Sequence, residues 1–237
     1  TIDVVEPTIQ SLQKVEYDPK KMIIIIAYEE RGGPEVKKMV ETLQKKYSNY
    51  FYSLNGVEHP KDIPNEVIGK GGNITNAGKW AAEYISANKI PPETTIVTTL
   101  DSDNRPHPMY FAALSYAYIA CPDPIHASFQ PISIFTNNIW DVPAPMRVIA
   151  TGNSFWNIVL AMRPHMLRNF ASHSQSMKTL LDTDFWSVRT IVEDGHQFWR
   201  TYFRYDGNHD VHPIMVPIYQ DAVLSHTYTK TLKAQFV

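Results

Sequence analysis

The order of apolar segments predicts an α/β fold, an open, mixed and mostly parallel sheet flanked by helices. Three observations carry this expectation. Lys21 to Tyr28 contains four consecutive isoleucines with no polar alternation, as in a strand covered on both faces. Thr94 to Leu100 is a second β-branched, apolar run. Amphipathic helical patterns precede and separate the two, and helix alternating with strand is the signature of βα-type layers.

Taken in order, Val5, Ile9 and Leu12 recur at helical spacing, with Asp3 placed to cap and Pro7 expected inside the first turn. A helix therefore begins almost at residue 1. Tyr17-Asp18-Pro19 turns the chain into the isoleucine strand, which is expected to be central in the sheet. Beyond Gly32-Gly33-Pro34, the residues Val36, Met39, Val40, Leu43 and Tyr47 keep one helical face. Tyr50 to Leu54 reads as a short strand and Val57 to Gly72 as a loop. Ala77, Trp80, Ala81, Tyr84 and Ile85 mark the next helix, and Thr94 to Leu100 the strand that ends at Asp101-Ser102-Asp103. Further on, strands are predicted over Ile125 to Ile134 and His212 to Ile218, and helical stretches over Asn153 to Met162 and His196 to Phe203. One domain, 1–237, is expected, with residues 1–120 as its nucleotide-type half and 121–237 as a more variable half.

Composition narrows the function classes. The 237 residues are 43% hydrophobic and 19% charged, as in ordinary globular chains, and carry a net charge of −2. Without a basic field, nucleic acid is not an expected partner. The longest aliphatic run, Met22 to Ala27, falls far short of the roughly 20 residues of a membrane span. Cys121 is the only cysteine, so neither an internal disulfide nor a Cys-rich zinc site is available. The nine histidines show no zinc-protease spacing, and no Gly-x-Ser-x-Gly elbow marks a serine hydrolase.

Three short segments carry chemistry. Asp101 and Asp103, two apart at the end of a strand, would point to one face and repel each other unless a cation lies between them; Mg²⁺ or Mn²⁺ with a nucleotide diphosphate fits. Their other reading is a solvated turn. Glu193-Asp194-Gly195 opens a helical stretch, where the helix dipole stabilises a carboxylate that could act as a general base, or simply as a cap. Gly69-Lys70-Gly71-Gly72-Asn73 leads into a helix, and its glycines and Lys70 suit an anion, although the spacing is neither a Walker loop nor a dinucleotide fingerprint.

In this order the motifs resemble those of the family 2 glycosyltransferases, especially the membrane-attached ones related to cellulose, chitin and hyaluronan synthases. Gly69 to Gly78 is similar to the family's Lys-Gly-Gly-x-x-Asn-x-Gly segment, Thr99-Leu100-Asp101-Ser102-Asp103 to its strand-terminal Asp-x-Asp, and Ile191-Val192-Glu193-Asp194 to its Glu-Asp motif. Phe170-Ala171-Ser172-His173-Ser174 resembles the acceptor-side loop loosely. The resemblance implies a nucleotide-diphospho-sugar transferase fold of the GT-A type and an inverting, metal-dependent transfer of a sugar to an acceptor hydroxyl. It implies Asp101 and Asp103 as the Mg²⁺ or Mn²⁺ site, and Lys70 and Asn73 beside the donor, expected to be a UDP-sugar. Asp194 would be the base with Glu193 beside it, and Glu29 or Glu30 would approach the nucleobase. It further implies a carbohydrate or lipid-linked acceptor, a parent protein attached to the cytoplasmic face of a membrane through segments outside this chain, and truncation at both ends. The family's opening strand would lie ahead of Thr1, and its Gln-x-x-Arg-Trp helix beyond Gln235-Phe236-Val237. Rival readings are a nucleotidyltransferase on the same fold, which lacks here its early Gly-rich triphosphate loop, and a non-catalytic sugar-nucleotide-binding module.

Overall fold

Helices and strands alternate through the first hundred residues of the computed structural model, which describes residues 1–235. The elements there are α1 (Ile2–Leu12), β1 (Ile23–Glu29), α2 (Gly33–Tyr47), β2 (Ser53–His59), α3 (Lys70–Ala87) and β3 (Ile96–Thr98). Then come β4 (Arg105–Pro106), α4 (Tyr110–Ala120), β5 (Ala127–Phe135), α5 (Ala144–Ala161), β6 (Ser174–Ser176), α6 (Met177–Asp182), α7 (Glu193–Arg204), β7 (Asp210–Gln220) and α8 (Tyr228–Ala234). Phe236 and Val237, named above with the chain's end, lie outside the described residues.

The strands form a two-stranded sheet, β1-β2, and a five-stranded sheet in the order β3-β6-β5-β7-β4. The sheet is mixed. Its parallel ladders, β1-β2 over seven residues and β5-β7 over nine, are long, whereas the antiparallel ladders of β3, β4 and β6 span two or three. The parallel character read from the sequence therefore holds by length of pairing.

Burial differs from expectation where the isoleucines lie. None of β1's seven residues is buried, and its pairing runs to β2 alone, so it is an edge strand and not the central one. Its free edge faces that of β3 across a cavity of about 730 Å³. The strand expected over 94–100 shrinks to Ile96–Thr98, also only partly buried, because the chain turns at Asp101. Among the long strands the most thoroughly buried is β5, with Phe129 and Ser128 fully enclosed and Phe129 packed with Tyr110, Leu114 and Ile218.

Other boundaries moved for local reasons. Pro7 is the sixth residue of α1, not part of its first turn, and Asp3 is inside the helix with Thr1 at the cap. The second strand begins three residues later than predicted and runs on to His59, and the Gly-rich segment is already the first turn of α3. Helix α4 lies over the core through Tyr110, Leu114 and Tyr118. Among the described residues no helix is long and apolar enough to cross a membrane.

Candidate active site

The amino end of α3 is the hinge of the site. Lys70, its first residue, extends its ammonium to Asp101 Oδ1 at 2.6 Å and to the Ala171 carbonyl at 2.8 Å. Gly71 is needed for close approach: a Cβ there would stand 2.3 Å from the Ser187 carbonyl oxygen and 3.3 Å from Glu193 Cβ. The glycines expected to cradle an anion thus also let α3 seat against the start of α7. Asn73, one turn on, lines the cavity beside Lys70 and Asp101, and its Oδ1 is buried without a hydrogen-bond partner.

Asp101 and Asp103 do not project from a regular strand, as their spacing suggested. They occupy a turn closed by the Asn104 N–H donating to the Asp101 carbonyl at 3.1 Å. Asn104 is wholly buried. With its amide nitrogen assigned toward Asp103 Oδ1 (3.1 Å), its oxygen accepts from the Asp101 N–H (3.1 Å) and the Ser172 hydroxyl. The Asp221 N–H donates to Asp103 Oδ2 at 3.0 Å. Burial pushes the Asp103 carboxyl above the usual range against those hydrogen bonds, and the Asp221 and Asp101 charges raise it further.

Glu193 and Asp194 form the first turn of α7. Glu193 is only 4% exposed, and desolvation raises its pKa; Lys70 opposes that rise while Asp194 and Asp101 add to it. Asp194 Oδ1 accepts the Gly195 N–H at 2.6 Å. Beneath them lies His173. Its Nδ1–H donates to the Phe170 carbonyl (2.9 Å), its Nε2 accepts from the Trp186 indole (3.1 Å), and burial depresses its pKa to about 4. It is therefore a neutral, doubly satisfied anchor within the field of Lys70, Asp194 and Asp101.

The structure thus gathers Lys70, Asp101, Asp103, Glu193 and Asp194 at the carboxyl end of β3, with Asn73 adjoining. Glu29 and Glu30 lie on the other side of α3. Glu29 Oε2 is 3.1 Å from His59 Nδ1, and Glu66 Oε2 is 3.0 Å from His59 Nε2. Glu30 accepts the Lys61 N–H at 3.0 Å. Sequence reasoning missed Asp221 and Asn104 as parts of the site and reached His173 only through the loose resemblance of Phe170 to Ser174 to an acceptor-side loop. Asp221 is 118 positions from Asp103, and no local pattern joins them.

No three His, Cys, Asp or Glu side chains among the described residues converge into a metal cage. Mg²⁺ and Mn²⁺ sites of the phosphate-sharing kind do not require one, since one or two carboxylates with phosphate oxygens and water suffice. The donor set fits that kind of site. Asp101 and Asp103 would supply hard oxygens, and next to Asp103 the Asp221 Oδ1 is buried with no hydrogen-bond partner.

No family model matches the chain, and no curated protein matches it. Among solved structures it is similar to a mannosyltransferase from Pyrobaculum calidifontis, solved with GDP-mannose and Mn²⁺, at 14% identity and a TM-score of 0.62. That match covers 97% of this chain and 56% of the other, so the chain spans little more than half of its neighbour's length. A glucosyl-3-phosphoglycerate synthase from Mycobacterium tuberculosis, solved with Mn²⁺, UDP and phosphoglyceric acid, is 14% identical over 90% of this chain and 76% of its own, at a TM-score of 0.43. The likeness is one of architecture: the chain has the mixed α/β fold of nucleotide-diphospho-sugar transferases, the GT-A type.

Proposed function

We propose that the chain is the catalytic unit of an inverting glycosyltransferase, moving a sugar from a nucleotide-diphospho-sugar to an acceptor hydroxyl. The supporting observation is the crowding of five carboxylates, Asp101, Asp103, Glu193, Asp194 and Asp221, around the ends of β3, β7, α3 and α7, where only Lys70 forms an ion pair with any of them among the described residues. Like charges held so close call for a cationic ligand. The order of the motifs and the fold of the Mn²⁺-bound mannosyltransferase support the same reading.

On this reading Asp101 and Asp103 hold Mg²⁺ or Mn²⁺, with Asp221 behind them. When bound, that ion neutralises the charge that develops on the departing diphosphate. Lys70, at a helix amino terminus, adds its own positive charge to the same phosphates and leaves Asp101 to the metal. Asp194 accepts the acceptor's hydroxyl proton as that oxygen bonds to the anomeric carbon. The bond from that carbon to the diphosphate oxygen breaks, and its electron pair leaves with the nucleotide. One displacement from the opposite face inverts the configuration. Neutral His173 keeps the floor rigid and contributes no competing base.

Residues 1–120 would bind the donor and 121–237 the acceptor, a carbohydrate or a lipid-linked one; Glu29 and Glu30, held by His59 and the Lys61 N–H, are assigned to the scaffold of the donor half and not to nucleobase contact. The family resemblance favours a UDP-sugar and a parent held at a membrane, whereas the fold neighbour's own donor is GDP-mannose. A non-catalytic binding module is the second reading, favoured by the open cavity between β1 and β3 along one wall of the site.

A panel of UDP- and GDP-sugars with Mn²⁺ tests the proposal. A donor that raises Tm only with the metal, and is then converted to nucleotide diphosphate and an inverted glycoside, supports the transferase. Binding without turnover supports the module; release of pyrophosphate indicates a nucleotidyltransferase. If no sugar nucleotide shifts Tm, both sugar-nucleotide readings fall.

A further inference from the structure

The pairing of β5 with β6 stops early, for a reason written in the sequence. Phe129 lies opposite Ser174, and two residues further the same register would set Pro131 opposite Ser172. On its other side this segment bonds to β3 through the Met177 N–H and the His173 carbonyl, with Gln175 opposite Val97. By alternation its even-numbered residues, Ser172 among them, turn their backbone groups toward β5. Pro131 has no N–H to give the Ser172 carbonyl, so that rung cannot form. The Gln130 side chain replaces it. Only 1% exposed, Gln130 donates its amide to the Ser172 carbonyl at 2.9 Å, and its amide oxygen accepts the Phe170 N–H at 2.8 Å. Between those two anchored residues lies Ala171. The Ala171 carbonyl accepts from the Lys70 ammonium at 2.8 Å and from the Thr99 hydroxyl at 3.2 Å, while the other partner of Lys70 is Asp101 at 2.6 Å. One buried amide, bonded on both sides of Ala171, thus sets where this carbonyl points.

We infer that Gln130 is a positioning residue of the site: it aims the Ala171 carbonyl at Lys70, so that the ammonium has a neutral partner and is not held by Asp101 alone. The consequence concerns cations. A divalent ion that takes Asp101 must displace the ammonium from it, and hydrogen bonds to charged groups are among the stronger ones to give up. With the Ala171 carbonyl in place, the displaced ammonium keeps one acceptor and stays beside the diphosphate. Without it, both acceptors are lost together. The consequence for the metal rests on the reading of Asp101 proposed above, whereas the hold of Gln130 on Ala171 and Lys70 does not. A second route leads from Gln130 to the acids, since the Ser172 hydroxyl is bonded to Asn104, which is bonded to Asp103 and Asp101. That route bypasses Lys70, and so the two can be separated.

The experiment compares the unmodified chain with Gln130→Met, Lys70→Met and the double variant, by two readouts. The first needs no metal: hydrogen exchange of the Lys70 ammonium, followed by nitrogen-edited NMR. The unmodified chain should show a protected Lys70 ammonium, and Gln130→Met should speed its exchange at least about fivefold. Equal rates, or no protected ammonium in the unmodified chain, would overturn the inference. If Gln130→Met gives no folded spectrum, Gln130→Glu is read in its place with the same expected result, since it keeps an oxygen for the Phe170 N–H and loses the donor to Ser172. The second readout is Mn²⁺ affinity by electron paramagnetic resonance, with UDP or GDP present. Gln130→Met should weaken Mn²⁺ binding at least about fivefold in the unmodified chain and less than about twofold in the Lys70→Met background. Equal losses in the two backgrounds would show that Gln130 acts through Ser172 and Asn104, and would overturn the inference. An unmodified chain that binds no Mn²⁺ would contradict the metal reading, and the exchange of the Lys70 ammonium would then decide the role of Gln130.

Discussion

Two groups of acids flank the first turn of α3, and they are built on opposite principles. On the β1 side, Glu29 and Glu66 share His59, Glu30 takes Lys61, Glu58 takes Lys37 at 3.0 Å and Asp62 takes Arg31 at 3.6 Å. Each carboxylate there has a basic neighbour. On the β3 side, five carboxylates meet one ammonium, and burial drives Asp103 and Glu193 toward their neutral forms. The first group sets a basic side chain beside each carboxylate and reads as structure. The second bears an uncompensated cost, which is how a site for a cationic or metal-bridged ligand is recognised.

The largest effect should come from the β3 side. Asp194→Asn removes the proposed base while keeping its shape, so turnover should fall by about 10²- to 10⁴-fold with donor affinity retained, whereas Glu30→Gln should change turnover less than about twofold. Steady-state kinetics with the donor identified by the thermal-shift panel checks both. Equal losses in the two variants would erase the distinction between the flanks.

Next come the glycines, which divide the same way. Gly71→Ala drives a methyl into the Ser187 backbone, while Gly72→Ala meets the movable ends of Glu66 and His59 at 2.8 and 3.0 Å. Gly71→Ala should cost about 1–3 kcal/mol and Gly72→Ala less. For a chain of this size each kcal/mol lowers Tm by about 2–4 °C in calorimetry. A larger loss at Gly72 would mean that α3 is anchored on the β1 side instead.

The pH responses are smaller and of opposite sign. His173 holds a pKa of about 4, so on acidification the unfolded chain takes up a proton before the native one does. Its contribution to stability is complete above about pH 6.5 and is lost as pH falls toward 4. Asp103 is raised, so its contribution is present at acid pH and lost as pH rises through its elevated pKa. Asp103→Asn should therefore have a higher Tm than the unmodified chain at pH 7, and that advantage should vanish near pH 3.5. A variant less stable at pH 7 would show that the Asp103 charge is compensated within the fold.

How much was legible in the sequence follows the same division between local and distant causes. Lys70, Asp101, Asp103, Glu193 and Asp194 were visible because glycines, a turn and a helix start are encoded within a few residues. Asp221 was not, since what places it beside Asp103 is pairing across the sheet, over 118 positions of sequence. Strand burial shows the limit more sharply. The uninterrupted isoleucines of β1 predicted enclosure on both sides, yet β5, interrupted by Ser128, Gln130 and Ser133, is the long strand that is enclosed, over seven of its nine residues. Gln130 succeeds there because its amide donates to the Ser172 carbonyl at 2.9 Å and accepts the Phe170 N–H at 2.8 Å. Apolar sequence shows that a strand requires cover; it does not show which part of the chain supplies it.

Titration calorimetry of a sugar nucleotide in the presence and absence of Mn²⁺, on the unmodified chain, Asp101→Asn and Glu29→Gln, tests the central claim most directly. Metal-dependent binding should be retained in Glu29→Gln and weakened at least about hundredfold in Asp101→Asn. Affinity that is indifferent to Mn²⁺, or that survives in Asp101→Asn and is lost in Glu29→Gln, would contradict it.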